Sequence, residues 1–176
     1  MKIACVLGQM FEDSEFRIPY DRLKTAGYQV DVIGLKAGEE LKGYKGKEKV
    51  KAEKSIDQVK AADYDALLIP GGQSPDHLRV DKRMVDFVKQ FESAGKMIAA
   101  VCHGPQLLAS AGVLKGKTSS AYPAVLPEVR AAGGTPAEVP IDGAHADGTL
   151  VTAPAWPAHP AWLKKFLDVL GTRIES

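Results

Sequence analysis

A cysteine at residue 102 stands between an apolar run and a helical pattern. Residues 97–101 have the character of a buried strand and residues 106–111 that of a helix, so Cys102 lies at the turn between them. The small residues Ala100 and Gly104 lie two positions to either side, where larger side chains would clash in a sharp turn. The pattern therefore predicts a nucleophile elbow with a thiol at its tip.

The surroundings of Cys102 in the sequence favour the reactive form of the thiol. We expect Cys102 to open the helix, where the partial positive charge of the helix end stabilises a thiolate. The adjacent His103 acts in the same direction, so the thiol pKa should fall below its ordinary value of about 8.5. Since the thiolate is the nucleophile, Cys102 is the candidate catalytic residue. Cys5 lies inside the apolar run 3–7 and is predicted to be an inert core residue.

Backbone amides and carboxylates elsewhere in the chain could assist this thiol. Gly71 and Gly72 follow a predicted strand, and their amides, with that of His103, could form an oxyanion hole; an ordinary tight turn explains the two glycines equally well. Glu12 and Glu15 open the first helix and share one edge of it. Either acid could be a helix cap, or could pair with the thiol and so acquire a raised carboxyl pKa.

Two further positions have both a structural and a functional interpretation. Asp76 lies at what could be a plain helix start, but an acid that orients His103 would complete a Cys–His–acid arrangement. Tyr122 could pack in the core or line a polar pocket. His145 and His159 have no matching ligand partners and are interpreted as surface or core residues, while Trp156 and Trp162 are interpreted as docking residues of the last helix.

The order of the predicted elements indicates an α/β fold. Strands are predicted at residues 2–7, 28–33, 66–69, 97–101 and 150–152, with a further short one at Val139. Helices are predicted at residues 12–25, 81–91, 106–111, 126–132 and 156–170, and a hairpin within residues 36–55. Strands that alternate with helices predict a mainly parallel sheet covered on both faces, in one domain spanning residues 1–176. Ligands bind such sheets at the carboxyl ends of the strands, where residues 9–15, 71–76 and 102–104 begin.

Composition excludes several classes of function. The 176 residues carry a formal net charge of +1, which favours neither nucleic acid nor an anionic membrane as partner. The basic stretch 42–54 is interleaved with glutamates and glycines and is interpreted as a solvated hairpin. Two distant cysteines give no disulfide framework and no metal site, and no cofactor is expected. The first residues do not form a signal peptide, so we expect a cytoplasmic protein whose thiol stays reduced.

The chain resembles the PfpI/ThiJ family over residues 2–171, and is most similar to its branch of PfpI-type cysteine peptidases and bacterial stress proteins. The segments that carry the resemblance are Phe11-Glu12-Asp13-Ser14-Glu15, Pro19-Tyr20-Asp21-Arg22-Leu23, Asp65 to Gly72 with its Pro-Gly-Gly ending, Pro75-Asp76-His77-Leu78-Arg79, and Ala100-Val101-Cys102-His103-Gly104-Pro105-Gln106. Cys-His-Gly-Pro together with Pro-Gly-Gly is the specific part of this signal.

The resemblance implies a flavodoxin-like three-layer sandwich and a set of roles. Cys102 is implied as nucleophile with His103 as its neighbour, and the acid that faces the thiol falls on Glu15, with Glu12 as second candidate. In the peptidase branch the third triad member comes from an adjacent subunit and falls on Asp76, which implies a homo-oligomer, either a dimer or a hexamer. Tyr122 matches an aromatic position of the family's pocket. Peptides and carbonyl compounds of the glyoxal type are the implied substrates, with a role in stress protection.

The sequence also departs from the family's pattern. Related sequences often carry Thr-Ser-Arg before a proline, whereas this chain has Thr152-Ala153-Pro154, which leaves substrate specificity open. A glutaminase-type amidotransferase would need a downstream His-Pro-Glu, and His159-Pro160-Ala161 lacks the carboxylate. A non-catalytic stress protein could use the same cysteine as an oxidation sensor.

Overall fold

The apolar runs of the sequence form strands in the computed structural model, which describes the backbone of residues 1–175 and the side chains of residues 1–171. In chain order the strands are β1 (Lys2–Val6), β2 (Gln29–Gly34), β3 (Glu40–Lys42), β4 (Lys49–Lys51), β5 (Lys54–Ser55), β6 (Ala66–Ile69), β7 (Met97–Val101), β8 (Thr118–Ser119), β9 (Thr135–Pro136), β10 (His145–Asp147) and β11 (Leu150–Ala153). The helices are α1 (Asp13–Thr25), α2 (Ser74–Leu78), α3 (Lys82–Ser93), α4 (Pro105–Ser110), α5 (Leu126–Ala131) and α6 (His159–Glu175).

Seven of these strands form the central sheet, in the order β10-β11-β7-β6-β1-β2-β5. Every neighbouring pair is parallel except β10 with β11. Parallel neighbours need long crossover connections, and the helices supply most of them. The predicted α/β fold with a mainly parallel sheet is confirmed.

The sheet is buried on both faces. Along β1, Ala4 and Val6 belong to one core cluster, while Ile3 and Cys5 belong to the other. This alternation follows from the geometry of a strand, whose successive side chains point to opposite faces. Helices α2 to α5 cover the first face, and α1 and α6 cover the second. The three layers explain why the strands are apolar throughout rather than alternately polar.

One predicted strand is wrong. Val139 is not part of a strand, and the edge of the sheet is formed by β10 instead. Val139 directly precedes Pro140, which has no N–H to donate to a ladder, so this segment is poorly suited to pairing. Among the described residues no helix combines the length and the apolar character that crossing a membrane requires.

The predicted hairpin is present, and a buried acid fastens its turn to α1. Strands β3 and β4 pair antiparallel. The carboxylate of Asp13, itself only 4% exposed, accepts hydrogen bonds from the backbone N–H groups of Lys45, Lys47 and Glu48 at 2.8–2.9 Å. Because three amides meet one buried carboxylate, the turn has a fixed position beside the first turn of α1.

Candidate active site

Cys102 lies at a strained turn directly after β7. Its φ of 61° is in the left-handed region, which is costly for a residue with a side chain. The backbone is held there on both sides, because Cys102 N donates to Ala153 O and Cys102 O accepts from Tyr122 N, each at 2.9 Å. A Cβ on Gly104 would come within 2.8 Å of Ile69 O, so only glycine fits. The structure thus has the predicted elbow.

The helix after the elbow lies within one residue of its predicted range of 106–111, but it does not start at the thiol. We expected Cys102 to open it, but residues 102–104 form a turn and α4 starts at Pro105. Proline has no N–H to give and its fixed φ suits the first helical position, which sets this start. The thiol therefore lies one turn ahead of a helix of six residues rather than at its cap.

The elbow meets the ends of two other strands. Strands β1, β6 and β7 are neighbours in the sheet, and the segments that follow them converge on a cavity of about 670 Å³, which we call the thiol cavity. Of the sequence-predicted residues, it is lined by Glu12, Glu15, Gly72, Asp76, Cys102, His103 and Tyr122. Gly71 adjoins it, next to Glu15 and Cys102. The structure thus brings all eight candidates together.

Glu15 is the acid in contact with the thiol. Its side chain is 1% exposed and interacts with both the thiol of Cys102 and the backbone N–H of Gly71. A Cβ on Gly71 would come within 2.3 Å of Glu15 Oε1 and 2.8 Å of Cys102 Cβ, so glycine is needed for this close approach. Burial, and after it the charge of Glu12, raises the pKa of Glu15 to about 8. Glu15 is therefore protonated at neutral pH and can donate to sulfur.

Glu12 has the opposite character, although it is also buried. One of its carboxylate oxygens caps α1 by accepting from Glu15 N at 2.9 Å and also accepts from Ser14 Oγ; the other pairs with Lys45 Nζ at 2.8 Å. Burial acts to raise the pKa of Glu12, but the hydrogen bonds from Lys45, Ser14 and Glu15 N outweigh it, and the pKa is lowered. Two acids three residues apart thus have pKa values that move in opposite directions, as in sites that separate an acid from a carboxylate.

The expected depression of the thiol pKa is not found. Burial is the first cause that raises the pKa of Cys102, and the charge of an ionised Glu15 is the second. The backbone N–H groups of Gly72 and His103 face the sulfur and oppose this rise. When Glu15 holds the proton, its repulsion disappears and it becomes a donor, so Glu15 and Cys102 titrate as one unit.

Gly72 can present its N–H to the sulfur because it lacks a side chain. Its φ is 74°, and a Cβ there would lie 2.3 Å from Glu12 N. Of the three amides predicted for an oxyanion hole, those of Gly72 and His103 therefore face the thiol, whereas that of Gly71 faces Glu15.

His103 lies on the other side of the sulfur. Its Nδ1 is 3.1 Å from Cys102 Sγ, and its ring stacks on Tyr122 with centroids 4.9 Å apart. Burial lowers the pKa of His103, and the charges of Asp76 and Glu128 act against this. His103 is therefore neutral near pH 7 and is able to accept a proton.

Asp76 is exposed and lies on α2 at the rim of the thiol cavity. It acts on His103 of its own chain through its charge. Its membership of a triad shared between subunits stays a prediction.

Several residues of the cavity were not predicted from the sequence. These are Tyr44, Gln73, Gln106, Ala155 and Trp156. The interpretation of Trp156 as a docking residue is wrong, because it is 57% exposed and lines the cavity. Its proline-rich surroundings form a 3₁₀ turn (Trp156–Ala158) ahead of α6, which leaves the indole outside the core. Trp162 does dock α6, fully buried, with Nε1 donating to Val151 O at 3.2 Å.

A second, more apolar cavity of about 720 Å³ lies between α1 and α6. Its walls include Ser14 and His159, whose Oγ and Nε2 are 3.2 Å apart. Since Ser14 also bonds Glu12, these side chains are continuous with the acid pair, but the thiol itself lies in the first cavity. Within residues 1–171, no group of three or more His, Cys, Asp or Glu side chains is placed to hold a metal ion.

Comparison with known proteins identifies the family of this chain. The model of the DJ-1/PfpI family matches residues 1–169. Protein/nucleic acid deglycase 2 of Escherichia coli (strain K12) is 43% identical over 172 residues, covering 97% of this chain and 98% of that protein.

Two Bacillus subtilis (strain 168) proteins, General stress protein 18 and Putative cysteine protease YraA, are each 46% identical over 132 residues. The match covers 75% of this chain and 77% and 78% of those proteins.

A solved structure supports the fold over almost the whole chain. A two-domain protein of Anabaena variabilis, with DJ-1/ThiJ/PfpI-like and ferritin-like domains, superposes with a TM-score of 0.91 at 35% identity. The match covers 97% of this chain and 48% of that one. The three-layer, flavodoxin-like sandwich and the enzyme class expected from the sequence, a PfpI-type cysteine hydrolase, are confirmed by these relatives. The chain belongs to the DJ-1/PfpI family.

Proposed function

We propose that this protein hydrolyses carbonyl adducts of the glyoxal type by means of Cys102 and protects the cytoplasm under stress. The observation that carries the proposal is the thiol at the elbow, with a neutral imidazole nitrogen at 3.1 Å and a buried, protonated carboxyl group beside it. A nucleophile, a base and a donor thus converge on one atom, which satisfies the geometric requirement for covalent catalysis.

The proposed first step forms a bond between sulfur and the substrate carbonyl carbon. His103 takes the thiol proton, Sγ adds to the carbon, and the carbonyl π electrons move onto oxygen. The N–H groups of Gly72 and His103 would donate to that oxygen as its charge develops. In an adduct whose amine and a hydroxyl group share the neighbouring carbon, His103 gives the proton to the amine nitrogen and takes the hydroxyl proton, and the O–H electrons form a C=O bond as the C–N bond breaks. The oxyanion then re-forms its carbonyl, the C–S bond breaks and sulfur takes the proton back from His103, which restores the thiol and releases the dicarbonyl compound to be hydrated by water.

The relatives favour an adduct over a peptide as substrate. The Escherichia coli relative, which matches 97% of this chain, is named a protein/nucleic acid deglycase. Since its name includes nucleic acid, the expectation that nucleic acid is no partner needs a test on glycated nucleotides as well. Peptide hydrolysis is the second candidate, because one Bacillus subtilis relative is named a putative cysteine protease.

Turnover of matched substrates tests the proposal. Methylglyoxal adducts of an amino acid and of a nucleotide, free methylglyoxal, and a fluorogenic peptide would each be followed at equal enzyme concentration. We expect adduct turnover to exceed peptide turnover and to vanish in Cys102→Ser. Hydrolysis of the fluorogenic peptide without adduct turnover would support the second candidate function, peptide hydrolysis. Stress protection that survives in Cys102→Ser would contradict a catalytic role, and sulfenic or sulfinic acid at Cys102 without turnover would support an oxidation sensor.

A further inference from the structure

A lysine of the hairpin turn reaches the acid pair beside the thiol. Lys45 Nζ lies 2.8 Å from Glu12 Oε1. Glu12 is only 3% exposed, so this ammonium is the counter-charge of a buried carboxylate. In the sequence, Lys45 is one of several lysines of a predicted solvated hairpin, and nothing in the composition of residues 42–54 separates it from the others.

The position of Lys45 is set by its backbone. Lys45 N donates to the buried Asp13, and Tyr44 N donates to Phe11 O at 2.9 Å. The ammonium also lies 5.7 Å from the ring centre of Tyr44 and 5.9 Å from that of Trp156, two walls of the thiol cavity. Because the backbone of Lys45 is fixed and its ammonium lies near two aromatic rings, the side chain loses less conformational freedom on pairing with Glu12 than an ordinary surface lysine would.

The ion pair decides which of the two buried acids is charged. Without a counter-charge, burial would favour the neutral form of Glu12 as it does that of Glu15. With Lys45 on one oxygen and the donors Ser14 and Glu15 N on the other, Glu12 is stabilised as the carboxylate. Its negative charge in turn disfavours ionisation of Glu15.

We propose that Lys45 is a positioning residue of the thiol site, which holds Glu12 ionised and so leaves Glu15 as the acid that carries the proton at Cys102. The proposal rests on the proposed function only in that Cys102 is the working nucleophile. Lys45 acts through Glu12 and Glu15.

The direction of the effect follows from electrostatics. Removal of a fixed positive charge strengthens the binding of every proton in the cluster of Glu12, Glu15 and Cys102. The proton is then divided between two acids, and a thiolate forms only at higher pH. The other titratable groups around this cluster are Tyr44 on the hairpin, Asp13 on α1, His103 beside the thiol and His159 on α6.

The test is the pH dependence of Cys102 alkylation by iodoacetamide in the folded full chain, followed by mass spectrometry. In Lys45→Met we expect the midpoint of the rate profile to rise by about 0.5 to 1 pH unit, and Lys45→Arg should restore it because the charge returns. Lys47→Met is the matched control on the same turn, since its side chain is exposed and only its backbone contacts Asp13. The carboxyl ¹³C signal of Glu12 should titrate at higher pH in Lys45→Met; if that variant does not fold, Lys45→Gln takes its place.

An unchanged midpoint and an unchanged Glu12 titration in Lys45→Met would overturn the inference. An equal shift in Lys47→Met would overturn it too, because the effect would then be one of net charge. Alkylation needs no substrate, so a shifted midpoint in a protein without adduct turnover would reject the proposed function and leave the role of Lys45 standing. Normal adduct turnover with an unshifted alkylation midpoint would reject the role of Lys45 and leave the proposed function standing.

Discussion

The two cysteines of this protein occupy neighbouring parts of one core cluster and differ in almost everything else. Cys5 is fully buried in the middle of β1, and Cys102 is 8% exposed at the end of β7. Burial raises the thiol pKa of both. Around Cys5 the neighbours are apolar side chains, whereas Cys102 faces two backbone N–H groups, an imidazole and a protonated carboxyl group.

Burial therefore does not separate a structural thiol from a reactive one. The polar groups placed around Cys102 separate them, and the left-handed backbone at the elbow is what places the sulfur among these groups. A residue in the middle of a strand cannot adopt this backbone conformation, because its own N–H and C=O groups are hydrogen-bonded in the ladder.

Alkylation rates should show the largest contrast. In the folded protein at neutral pH we expect iodoacetamide to modify Cys102 at least about a thousandfold faster than Cys5, because Cys5 reacts only when β1 opens, at a cost of about 5 kcal/mol or more. Peptide mapping over time measures both rates, and their ratio should approach one in denaturant. Similar alkylation rates of Cys102 and Cys5 in the folded state would contradict the assignment of one reactive and one structural thiol.

Gly71→Ala should damage the Cys102 region alone. The added Cβ would come within 2.8 Å of Cys102 Cβ and 2.3 Å of Glu15 Oε1, so the acid or the elbow must move. A misplacement of about 1 Å lowers turnover by about a hundredfold. Gly171→Ala is the control, since a Cβ there meets nothing within 4 Å. Unchanged adduct turnover in Gly71→Ala would show that the contact between Glu15 and the thiol is dispensable.

Glu15→Gln should stabilise the fold at pH 8 and leave it unchanged at pH 4. The pKa of Glu15 is raised from 4.5 to about 8 in the folded protein, so the unfolded chain ionises first and the parent loses stability as pH rises through this window. An uncharged Gln removes the loss of a few kcal/mol, which corresponds to roughly 5–10 °C in Tm. Glu138→Gln, an exposed site, is the control. Equal melting of Glu15→Gln and the parent at both pH values would mean that the pKa of Glu15 is not raised in the folded protein.

Asp76→Asn should have a smaller effect, on turnover only. Its charge acts on His103, so we expect turnover to fall by about tenfold while Cys102 alkylation stays fast. If the acid serves a neighbouring subunit, dilution of the parent below its dissociation constant should lower specific activity as well. A fully active monomer in analytical ultracentrifugation would exclude a shared site and leave Asp76 as a residue of α2.

The fold could be predicted from the sequence because its signals are local. Each apolar run was long enough to identify a buried strand, and the glycines and prolines marked most of the ends. Val139 failed because pairing at a sheet edge depends on a partner strand. The expectation that Cys102 opens α4 was wrong, because a turn and a first helical turn have similar residue preferences around Gly104 and Pro105.

The candidate site was predictable where its residues directly follow a strand. Cys102, Gly71 and Gly72 are of this kind, since the carboxyl ends of neighbouring parallel strands meet, and Glu15 lies in the first turn of the helix that follows β1. Lys45 and Trp156 reach the same cavity from a hairpin and from a 3₁₀ turn, and their spacing carries no signal of it. The extent to which burial raises the pKa values of Glu15 and Cys102 could not be predicted either, because burial is a property of the packed core.

Serine substitutions at positions 5 and 102 should give the smallest effect, and they compare the surroundings of the two thiols directly. A hydroxyl at position 5 would be buried among apolar side chains, so Cys5→Ser should be less stable than Cys5→Ala by about 1–2 kcal/mol. At position 102 the order should be reversed or level, because the N–H groups of Gly72 and His103 and the imidazole Nδ1 can bond the hydroxyl. Denaturant unfolding of the four variants gives both differences, and adduct turnover should survive in the two Cys5 variants alone. If serine is tolerated equally at both positions, the polar groups around Cys102 do not reach its side chain, and the site must be rebuilt on other residues.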